Sequence, residues 1–577
     1  MSRRGSTLVA AGILLSRVAG FVRLRAMGHL FATGGVIESF NAAFRIPNIL
    51  QNLLGEGVLS ASFIPVYSRL LAEGREEEAG RVAGAIAGLL AVVASLLVLL
   101  GVLAAEPLTR IIAPGFTGER FELTVTLMRI LFPGIGLLVL SAWCLGVLNS
   151  HRRFFLSYVA PVLWNGAQVA ALVGAAVAGL APASIAVALA WGALAGSALQ
   201  LGLQLPAVLR LLGGLRPSLD LGLEGVRRTL RALGPVIAGR GIVQLMTYVE
   251  LALASLLALG AVAVLGFAQP LYILPVSLFG MAVAASELPE LSDLGTEEAE
   301  RVRERLRAGL ARIAFFVVPT ALVFVLLGEV VVAAVYESGA FGGLEARLVW
   351  LTLAGFSLGL LSTTSSRLLQ SSLYAIGQTR VPALVSAGRL VISAGLGAVL
   401  MLQLDQFALG PGGSVELVGE LPATAPLPVE VREQEGLYRL GAVGLALAAA
   451  VASWVEYGLL RRAVRRRIGV TVDLGGGTLA RVAAAAAAAV ALGVVLAVAT
   501  VGLHPLLRAP LVLGPAGLAY LGLARALGLE ELPPLRALLR RRRDGGRGGP
   551  PEPGGPQGPP EGDGPGDGPS GEPPTRR

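Results

Sequence analysis

Six ionisable side chains interrupt the first two apolar segments of this chain: Arg17, Arg23, Arg25, Glu38, Arg45 and Glu56. An ionisable group at the depth of lipid tails costs several kcal/mol, so it normally faces a bundle interior or a water-filled cavity. Arginine in such a place forms forked, charge-assisted hydrogen bonds with phosphate oxygens, and these strengthen away from bulk water. The residue types therefore predict a cationic cavity for a phosphate-bearing molecule.

The spacing in the second segment places polar side chains on one face of a helix. At about 100° per residue, one stripe contains Glu38, Asn41, Arg45, Asn52 and Glu56. The stripe passes Pro47, where we predict a kink. Two other interpretations stay open. Arg17 and Arg25 could reach the membrane interface with their long stems, or Arg45 could pair with Glu38 or Glu56 only to neutralise charge.

Membrane-length helices must position these side chains. Mean hydropathy is +0.72, 54% of the residues are apolar, and long uncharged runs recur that can each cross a bilayer. We therefore predict an all-α, polytopic membrane protein with about fourteen transmembrane helices. The predicted spans are residues 6–29, 36–66, 82–105, 124–148, 156–179, 183–206, 231–258, 261–286, 309–335, 347–374, 381–403, 437–460, 478–501 and 508–527.

Loop arginines orient these spans. Most of them fall on the same side as the N-terminus, and the positive-inside rule makes that side cytoplasmic. We predict a multi-pass protein of the cytoplasmic (inner) membrane with both termini in the cytoplasm. Residues 403–436 form an acidic, Pro/Gly-broken outside loop. Residues 530–577 form a basic, then Pro/Gly-rich cytoplasmic tail that cannot bury enough apolar surface to fold.

Missing residue types argue against several function classes. The chain contains no lysine, which a Walker A loop and a Schiff base both need, so nucleotide-driven pumping is not expected. The lone Cys144 permits no internal disulfide, and His29, His151 and His504 are too scattered for a metal site. No residue group has catalytic spacing at a membrane face, so we expect neither an enzyme nor a cofactor. The net charge of +9 reports topology and not a nucleic-acid partner.

An internal repeat divides the chain into two halves. Residues 62–82 and 286–302 share the pattern S-x-x-P-x-x-S followed by E-E-A-x-R-V. Both copies end one span and begin a charged cytoplasmic helix, so the repeats are parallel, which is transporter architecture. We predict two six-helix lobes around a central cavity, residues 1–208 and 209–462, followed by two further helices within 463–529.

Several motifs along the chain resemble one protein family: SRVAGFVR at 16–23, AFRIPN at 43–48, Glu56-Gly57, APGF at 113–116, Pro161, Asn165 and QLGLQLP at 200–206. The family is the MurJ (MviN) lipid II flippases, within the superfamily of multidrug and oligosaccharidyl-lipid exporters. The resemblance covers about residues 6–527, without the loop 403–436. It implies a flippase that translocates lipid-linked peptidoglycan precursor by alternating access and holds the pyrophosphate with cavity arginines.

The resemblance also assigns individual roles. Arg17 and Arg23 match the family's essential cavity arginines, and Glu38 stands where the family usually has aspartate. The sequence departs from the family at Gln51, where a further cavity arginine is expected. It departs again at 269–275, where the prolines survive without the family's acids and arginine. The charged candidates in the second lobe are instead Arg240, Glu250 and Glu287.

The predicted substrate-binding residues are Arg17, Arg23, Arg25, Glu38, Arg45, Asn48, Gln51, Asn52, Glu56, Arg240 and Glu250. A purely structural pair of Arg240 and Glu250 stays open, and Glu287 is equally explained as the cytoplasmic end of its helix. We expect structural or interfacial roles for Arg129, Arg367, Arg389 and Glu456.

The expected partners are lipid II, membrane lipids and, through the tail, cell-wall synthesis proteins. Two rival functions stay open. One is a related exporter of another lipid-linked glycan or of a drug-like cation, and the other is a non-transporting scaffold that binds lipid precursor. The candidate energy sources are the membrane potential and a proton or sodium gradient, with Glu38, Glu56 and Glu250 as the intramembrane acids that could couple to an ion.

Overall fold

A computed structural model describes residues 3–280, 299–469 and 476–529. Its elements are α1 (Arg3–Phe31), α2 (Gly35–Leu54), α3 (Glu56–Ala72), α4 (Glu76–Leu103), α5 (Ala105–Ile112), α6 (Gly118–Ser150), α7 (Phe154–Val177), α8 (Pro182–Leu211), α9 (Glu224–Ser255), α10 (Ala261–Pro275, continued by the π-helical turn Val276–Gly280), α11 (Ala299–Leu326), α12 (Gly328–Tyr336), α13 (Gly343–Ser357), α14 (Leu360–Ala375), α15 (Arg380–Leu404), β1 (Phe407–Leu409), β2 (Val415–Leu417), α16 (Val429–Arg432), β3 (Tyr438–Arg439), α17 (Gly441–Ile468), α18 (Gly476–Ala499) and α19 (Pro505–Ala526).

Some sequence predictions concern residues that the structure does not describe. Glu287, most of the second repeat copy at 286–302 and the tail at 530–577 are not among the described residues. The side chains of Glu56 and Arg240 also lie outside it, although both residues belong to described helices. The predictions for these groups therefore stay predictions.

The all-helical membrane fold is confirmed, whereas the exact number of spans is not. Among the described residues, eleven helices are long and apolar enough to cross a membrane, and counting the pair α13–α14, bent by 43°, as one span gives up to twelve. Helices α1 and α9 are not among them, and several side chains of both helices lie outside the described residues. The predicted count of fourteen, which includes α1 and α9, stays a prediction.

The helices of each half pack mainly on one another. In the first half, α6, α7 and α8 form one group, with α1 packed on α7 and α2 on α6. In the second half, α13, α14 and α15 pack on α17, and α10 packs on α13. The last two helices, α18 and α19, pair with each other against α11 and α12. This arrangement agrees with two lobes and two additional helices, and the boundaries at 208 and 462 stay predictions.

Small residues let the helices of the first lobe approach closely. A Cβ added at Gly192 of α8 would lie 2.6 Å from the Ala171 side chain of α7. A Cβ at Gly196 would lie 2.8 Å from the Trp164 carbonyl oxygen. Glycine and alanine thus let the two backbones pack without a cavity, which fixes where the α7 side chains point.

The second span is broken at a glycine. Helix α2 runs through Pro47 and ends at Leu54, and α3 begins at Glu56. The intervening Gly55 has no space for a side chain, because a Cβ there would lie 2.1 Å from the Gln51 carbonyl oxygen. The break therefore lies at Gly55, and the kink that the sequence predicts at Pro47, inside α2, stays a prediction.

The segment predicted as an irregular loop at 403–436 has different bounds and contains a small sheet. Gln403 and Leu404 belong to α15, and residues 405–440 hold three antiparallel strands in the order β2-β1-β3. Strand pairing places Phe407 opposite Leu417 and Leu409 opposite Tyr438. Strands this short show no periodicity that a sequence pattern could reveal. We call residues 405–440 the strap, and the end of the bundle where it lies the strap end.

Candidate substrate path between the lobes

Arg23 projects from α1 toward α7. Its Nη1 donates to Gln168 Oε1 at 3.2 Å, and its guanidinium carbon lies 4.9 Å from the centroid of the Trp164 ring. Among the described residues, its buried Nε has no hydrogen-bond partner. Since guanidinium carries five N–H donors and no acceptor, Arg23 retains both charge and donor capacity for an anion.

The other two arginines of α1 have different surroundings. Arg17 has an exposed side chain. Arg25 Nη1 donates to the carbonyl oxygens of Ala334 and Val335 at 2.9 and 2.7 Å, and its Nη2 donates to that of Glu337 at 3.4 Å. The last carbonyls of a helix lack partners within the helix and carry partial negative charge. Arg25 therefore caps the end of α12, and its role as a substrate ligand stays a prediction.

The polar stripe of α2 faces the second lobe. Asn41 lies against α10, where a Cβ added at Gly266 would come 2.6 Å from its Nδ2. One turn further, Arg45 Nη2 donates to the Thr247 carbonyl oxygen of α9 at 3.3 Å. Two residues of the predicted stripe, Asn41 and Arg45, therefore contact helices of the second lobe.

Arg45 shares this interface with a carboxylate. The charges of Arg45 and Glu250 attract each other, and Glu250 also accepts a hydrogen bond from Gln269 Nε2 of α10 at 2.6 Å. Within the part of the chain that the structure describes, the buried Nε of Arg45 has no hydrogen-bond partner. Arg45 is thus attracted by one acid across the interface and keeps a donor unused.

Aromatic side chains lie between Arg23 and Arg45, and amide side chains follow further along α2. The ring of Phe44, the neighbour of Arg45, lies 6.0 Å from the Trp164 ring that carries Arg23. Further along α2, Asn52 Nδ2 donates to Asn48 Oδ1 at 3.0 Å, and Gln51 is half-buried. These amides add polarity without charge, so the cationic part of the path rests on the arginines.

Glu38, at the beginning of α2, is bonded to both lobes. Its Oε1 accepts from the backbone N–H groups of Gly260 and Val262 at 3.0 and 2.8 Å. Its Oε2 accepts from Arg120 Nη1 at 2.7 Å, and only 1% of the Glu38 side chain and 8% of the Arg120 side chain are exposed. The two amides begin α10, so Glu38 caps that helix and meets the positive end of its dipole.

These contacts answer half of one open alternative, and a pair of Arg45 with Glu56 stays open. Glu38 does not pair with Arg45; its partner is Arg120. We call the contacts of Glu38 with Arg120, Gly260 and Val262 the junction. It closes the interface between the lobes at the strap end and uses the acceptor capacity of the carboxylate within the protein.

Sequence reasoning missed Arg120, Gln168 and Trp164. It placed Arg120 in a loop before the span 124–148, whereas α6 begins at Gly118 and contains Arg120 in its first turn. The available signal was chemical, because a buried Glu38 needs a counter-charge. Trp164 and Gln168 are four residues apart on α7, so they share one helix face, and that spacing beside Asn165 could have identified the surface that Arg23 contacts.

A second polar cluster lies inside the second lobe. Glu456 accepts from Arg389 Nη1 at 2.7 Å and from Gln370 and Ser386, each at 3.1 Å. Only 3% of the Glu456 side chain is exposed. This pair agrees with the structural role expected for Arg389 and Glu456, since the acid is fully used by groups of its own lobe.

The amino-acid sequence of this chain is similar to those of known proteins. A family model described as lipid II flippase MurJ matches residues 27–419. The chain is 32% identical over 409 residues to a probable lipid II flippase MurJ of Bdellovibrio bacteriovorus, covering 69% of this chain and 77% of the relative. It is 30% identical over 397 residues to the lipid II flippase MurJ of Burkholderia cenocepacia, covering 68% and 76%.

Solved structures share the fold. A lipid II flippase MurJ in an inward closed conformation superposes with a TM-score of 0.70 at 19% identity, covering 92% of this chain and 100% of the other. An inward-facing multidrug resistance MATE family transporter of the MOP superfamily superposes with a TM-score of 0.59 at 16% identity, covering 78% and 94%. At these identities the likeness shows a common fold.

Proposed function

Because the chain belongs to the lipid II flippase MurJ family, we propose that it translocates lipid II and that Arg23 and Arg45 bind the pyrophosphate. One observation carries the proposal: among the described residues, the hydrogen-bond partners of Arg23 and Arg45 are neutral, and the buried Nε of each has no partner. A buried donor without a partner costs about 1–3 kcal/mol. A pyrophosphate oxygen would remove that cost and compensate the positive charge.

The headgroup would meet Arg17 before Arg23. On the positive-inside orientation, the N-terminal end of α1 faces the cytoplasm, and Arg17 lies nearer that end with an exposed side chain. Guanidinium groups at successive depths offer the pyrophosphate forked hydrogen bonds as it leaves the headgroup region. Trp164 and Phe44 line the same stretch and offer apolar surface to the sugar rings.

The junction supplies the closed end that alternating access requires. On the same orientation, Glu38 and α10 meet at the outer side, so the described conformation is closed to the outside. Release of the headgroup would require Glu38 to leave the amides of Gly260 and Val262. Rocking of one lobe against the other would then expose the path to the outer leaflet.

The energy source in this proposal is the membrane potential or an ion gradient. Each negative charge that moves outward gains about 2.3 kcal/mol per 100 mV of inside-negative potential, so the pyrophosphate itself can be driven by the potential. Glu250 is the described acid best placed for ion coupling, because it lies in the interface and is held by Gln269 and attracted by Arg45.

The test is rescue of cells depleted of their own lipid II flippase, scored by surface exposure of lipid II. We expect rescue by the unmodified chain and its loss with Arg23→Ala or Arg45→Ala, since each removes a phosphate ligand. The matched control is Arg303→Ala on α11, an exposed arginine that pairs with Glu300, which should rescue fully. Rescue by Arg23→Ala and Arg45→Ala together would contradict the proposed site.

A second candidate function is export of another lipid-linked glycan. One observation favours it. Gln269 of α10 lies in the run where the family has charged residues, but it is neutral and donates its hydrogen bond to Glu250. If a correctly inserted chain leaves lipid II inside the cell, competition for purified protein between lipid II and other polyprenyl-pyrophosphate glycans would identify the substrate. The scaffold alternative predicts that Arg17→Ala is harmless, and docking of cell-wall synthesis proteins on the tail stays a prediction.

A further inference from the structure

The strap is fastened to the second lobe at both of its ends. It leaves α15 at Asp405 and enters α17 after Leu440. At this base, Arg439 Nη1 donates to the Asp405 carbonyl oxygen at 2.8 Å, and β3 pairs with β1. The Tyr438 hydroxyl donates to Glu345 of α13 at 2.5 Å. These bonds tie the strap to α13, α15 and α17, so it should move with the second lobe.

The short helix α16 carries the strap across the interface to the first lobe. The carbonyl oxygen of Arg432 accepts from the Leu259 N–H at 2.8 Å. Arg432 Nη1 donates to the Leu256 carbonyl oxygen of the second lobe at 3.2 Å and to the Gly115 carbonyl oxygen of the first lobe at 3.5 Å. Only 7% of Arg432 is exposed. One side chain therefore bridges the two lobes.

The contact at Gly115 depends on glycine. A Cβ there would lie 2.8 Å from Arg432 Nη1 and 1.9 Å from the Ser255 carbonyl oxygen. The Gly115 N–H in turn lies 3.2 Å from Ser255 Oγ, which accepts its hydrogen bond. The loop after α5 is thus in direct backbone contact with the end of α9, and Arg432 lies over that contact.

Glu433 extends the bridge to the junction. Its Oε1 accepts from Thr117 Oγ1 at 2.7 Å and lies 3.6 Å from Arg120 Nη2. Arg120 is the residue that pairs with Glu38. A continuous chain of polar contacts therefore runs from the strap through Arg120 and Glu38 to the beginning of α10.

We propose that the strap is a latch that controls how often the junction opens, with Arg432 and Glu433 as its positioning residues. This inference rests on the proposed function, because alternating access is what requires the junction to open. Separation of the lobes at this end would break the bonds of Glu433 to Thr117 and of Arg432 to Gly115. The strap therefore favours the conformation in which the strap end is closed.

The first experiment measures opening directly, without lipid II. Cys144 is the lone cysteine and is buried, so a Cys144→Ala chain gives a cysteine-free background for Ser39→Cys. Ser39 is buried at the junction and donates to the Arg120 carbonyl oxygen. In oriented vesicles, a membrane-impermeant maleimide added from the outside should label this cysteine slowly.

Weakening the latch should accelerate labelling. We expect Glu433→Gln and Thr117→Val each to raise the rate by about threefold to tenfold, the range for the net loss of one typical hydrogen bond. Arg432→Ala should raise it further, and the two milder variants keep the test valid if the loss of this buried arginine disturbs folding. The matched control is Glu430→Gln, an exposed acid in the same helical turn, which should label like the parent.

The second experiment locks the latch. Thr117→Cys with Glu433→Cys places one thiol on each side of the present contact. Because a cysteine side chain is shorter than the glutamate it replaces, a short bis-methanethiosulfonate reagent would bridge the two thiols through mixed disulfides and release methanesulfinate. We expect lipid II export to stop after cross-linking and to return after reduction with dithiothreitol.

Equal labelling of the Glu433→Gln, Thr117→Val and Glu430→Gln chains, or full export by the cross-linked chain, would overturn the latch. Faster labelling in a chain that moves no lipid II would support the latch and reject the proposed function, so the two failures are distinguishable.

Discussion

The strap end and the middle of the lobe interface use buried charge in opposite ways. At the strap end, Glu38 accepts from two backbone amides and one guanidinium group. In the middle, the hydrogen-bond partners of Arg23 and Arg45 among the described residues are neutral. A buried Nε without a partner occurs in both regions, in Arg23 and Arg45 and also in Arg120 and Arg432. A charge bonded to an opposite charge stabilises one arrangement of helices, whereas a charge bonded only to neutral groups favours a charged ligand. The strap end is therefore suited to closing the lobe interface, and the middle of the interface is suited to binding a ligand.

The largest expected effect comes from removing Glu38, the bonded acid at the strap end. Glu38→Ala leaves the buried Arg120 without its acid and removes the cap of α10, so we expect the free energy of unfolding to fall by about 3–5 kcal/mol and transport to be lost. Thermal unfolding of the purified protein in detergent measures the change. Glu433→Gln is the control, because it removes a 39%-exposed partner of the same arginine and should cost about 1 kcal/mol or less. Equal stability of the two variants would contradict the role of Glu38.

A smaller effect separates two arginines of the same helix. Arg25→Gln loses hydrogen bonds to the carbonyls that end α12, so we expect the free energy of unfolding to fall by about 1–2 kcal/mol without a change in lipid II affinity. Arg23→Gln should do the reverse: near-normal stability and an affinity about tenfold weaker, equivalent to about 1.4 kcal/mol. Titration of the purified variants with lipid II measures the affinity, and their unfolding curves measure the free energy of unfolding. Equal loss of affinity in both variants would mean that Arg25 also binds substrate.

The smallest expected effect concerns Asp405, a buried acid at the strap end. Burial raises the pKa of Asp405, at the base of the strap, to about 6 against attraction from Arg439, and its Oδ2 has no hydrogen-bond partner among the described residues. Between about pH 4 and pH 6 the folded chain holds a proton that the unfolded chain has released. Stability should therefore fall as the pH rises through this window.

Asp405→Asn removes that proton equilibrium. We expect the variant to be more stable than the parent by about 1 kcal/mol at pH 7, because it gives up the attraction of Arg439 but avoids the burial of a charge. The difference between the two unfolding temperatures, measured from pH 4.5 to pH 7.5, should grow with pH and level off above about pH 6.5. A difference that does not vary with pH would show that Asp405 stays ionised throughout.

Helical periodicity made part of the site predictable. The spacing of Asn41 and Arg45 placed them on one face of α2, and both meet the second lobe. Arg23 was identified by its charge within an apolar run, and the same argument selected Arg25, which caps a helix instead. The rule that charge in a membrane helix faces the interior locates a residue without choosing between a protein partner and a ligand.

Partners from distant parts of the chain were not predictable in this way. Arg120 is 82 residues from Glu38 and Glu433 is 316 residues from Thr117, and no local pattern relates them. The strap shows the same limit, since its strands pair with one another and its short helix contacts both lobes. Composition indicated an acidic, Pro/Gly-rich loop, which describes its solubility and not its contacts.

The amino-acid sequence by itself determined an all-helical membrane protein of the lipid II flippase type, because hydropathy and period are local properties and its motifs are specific. The tertiary structure alone decided which buried charges are satisfied: Glu38 by Arg120 and α10, Arg25 by α12, and Arg23 only in part. The physical reason is that hydrogen bonding at a buried charge is set by whatever group packs against it. That group usually comes from another helix, and only the folded chain brings it there.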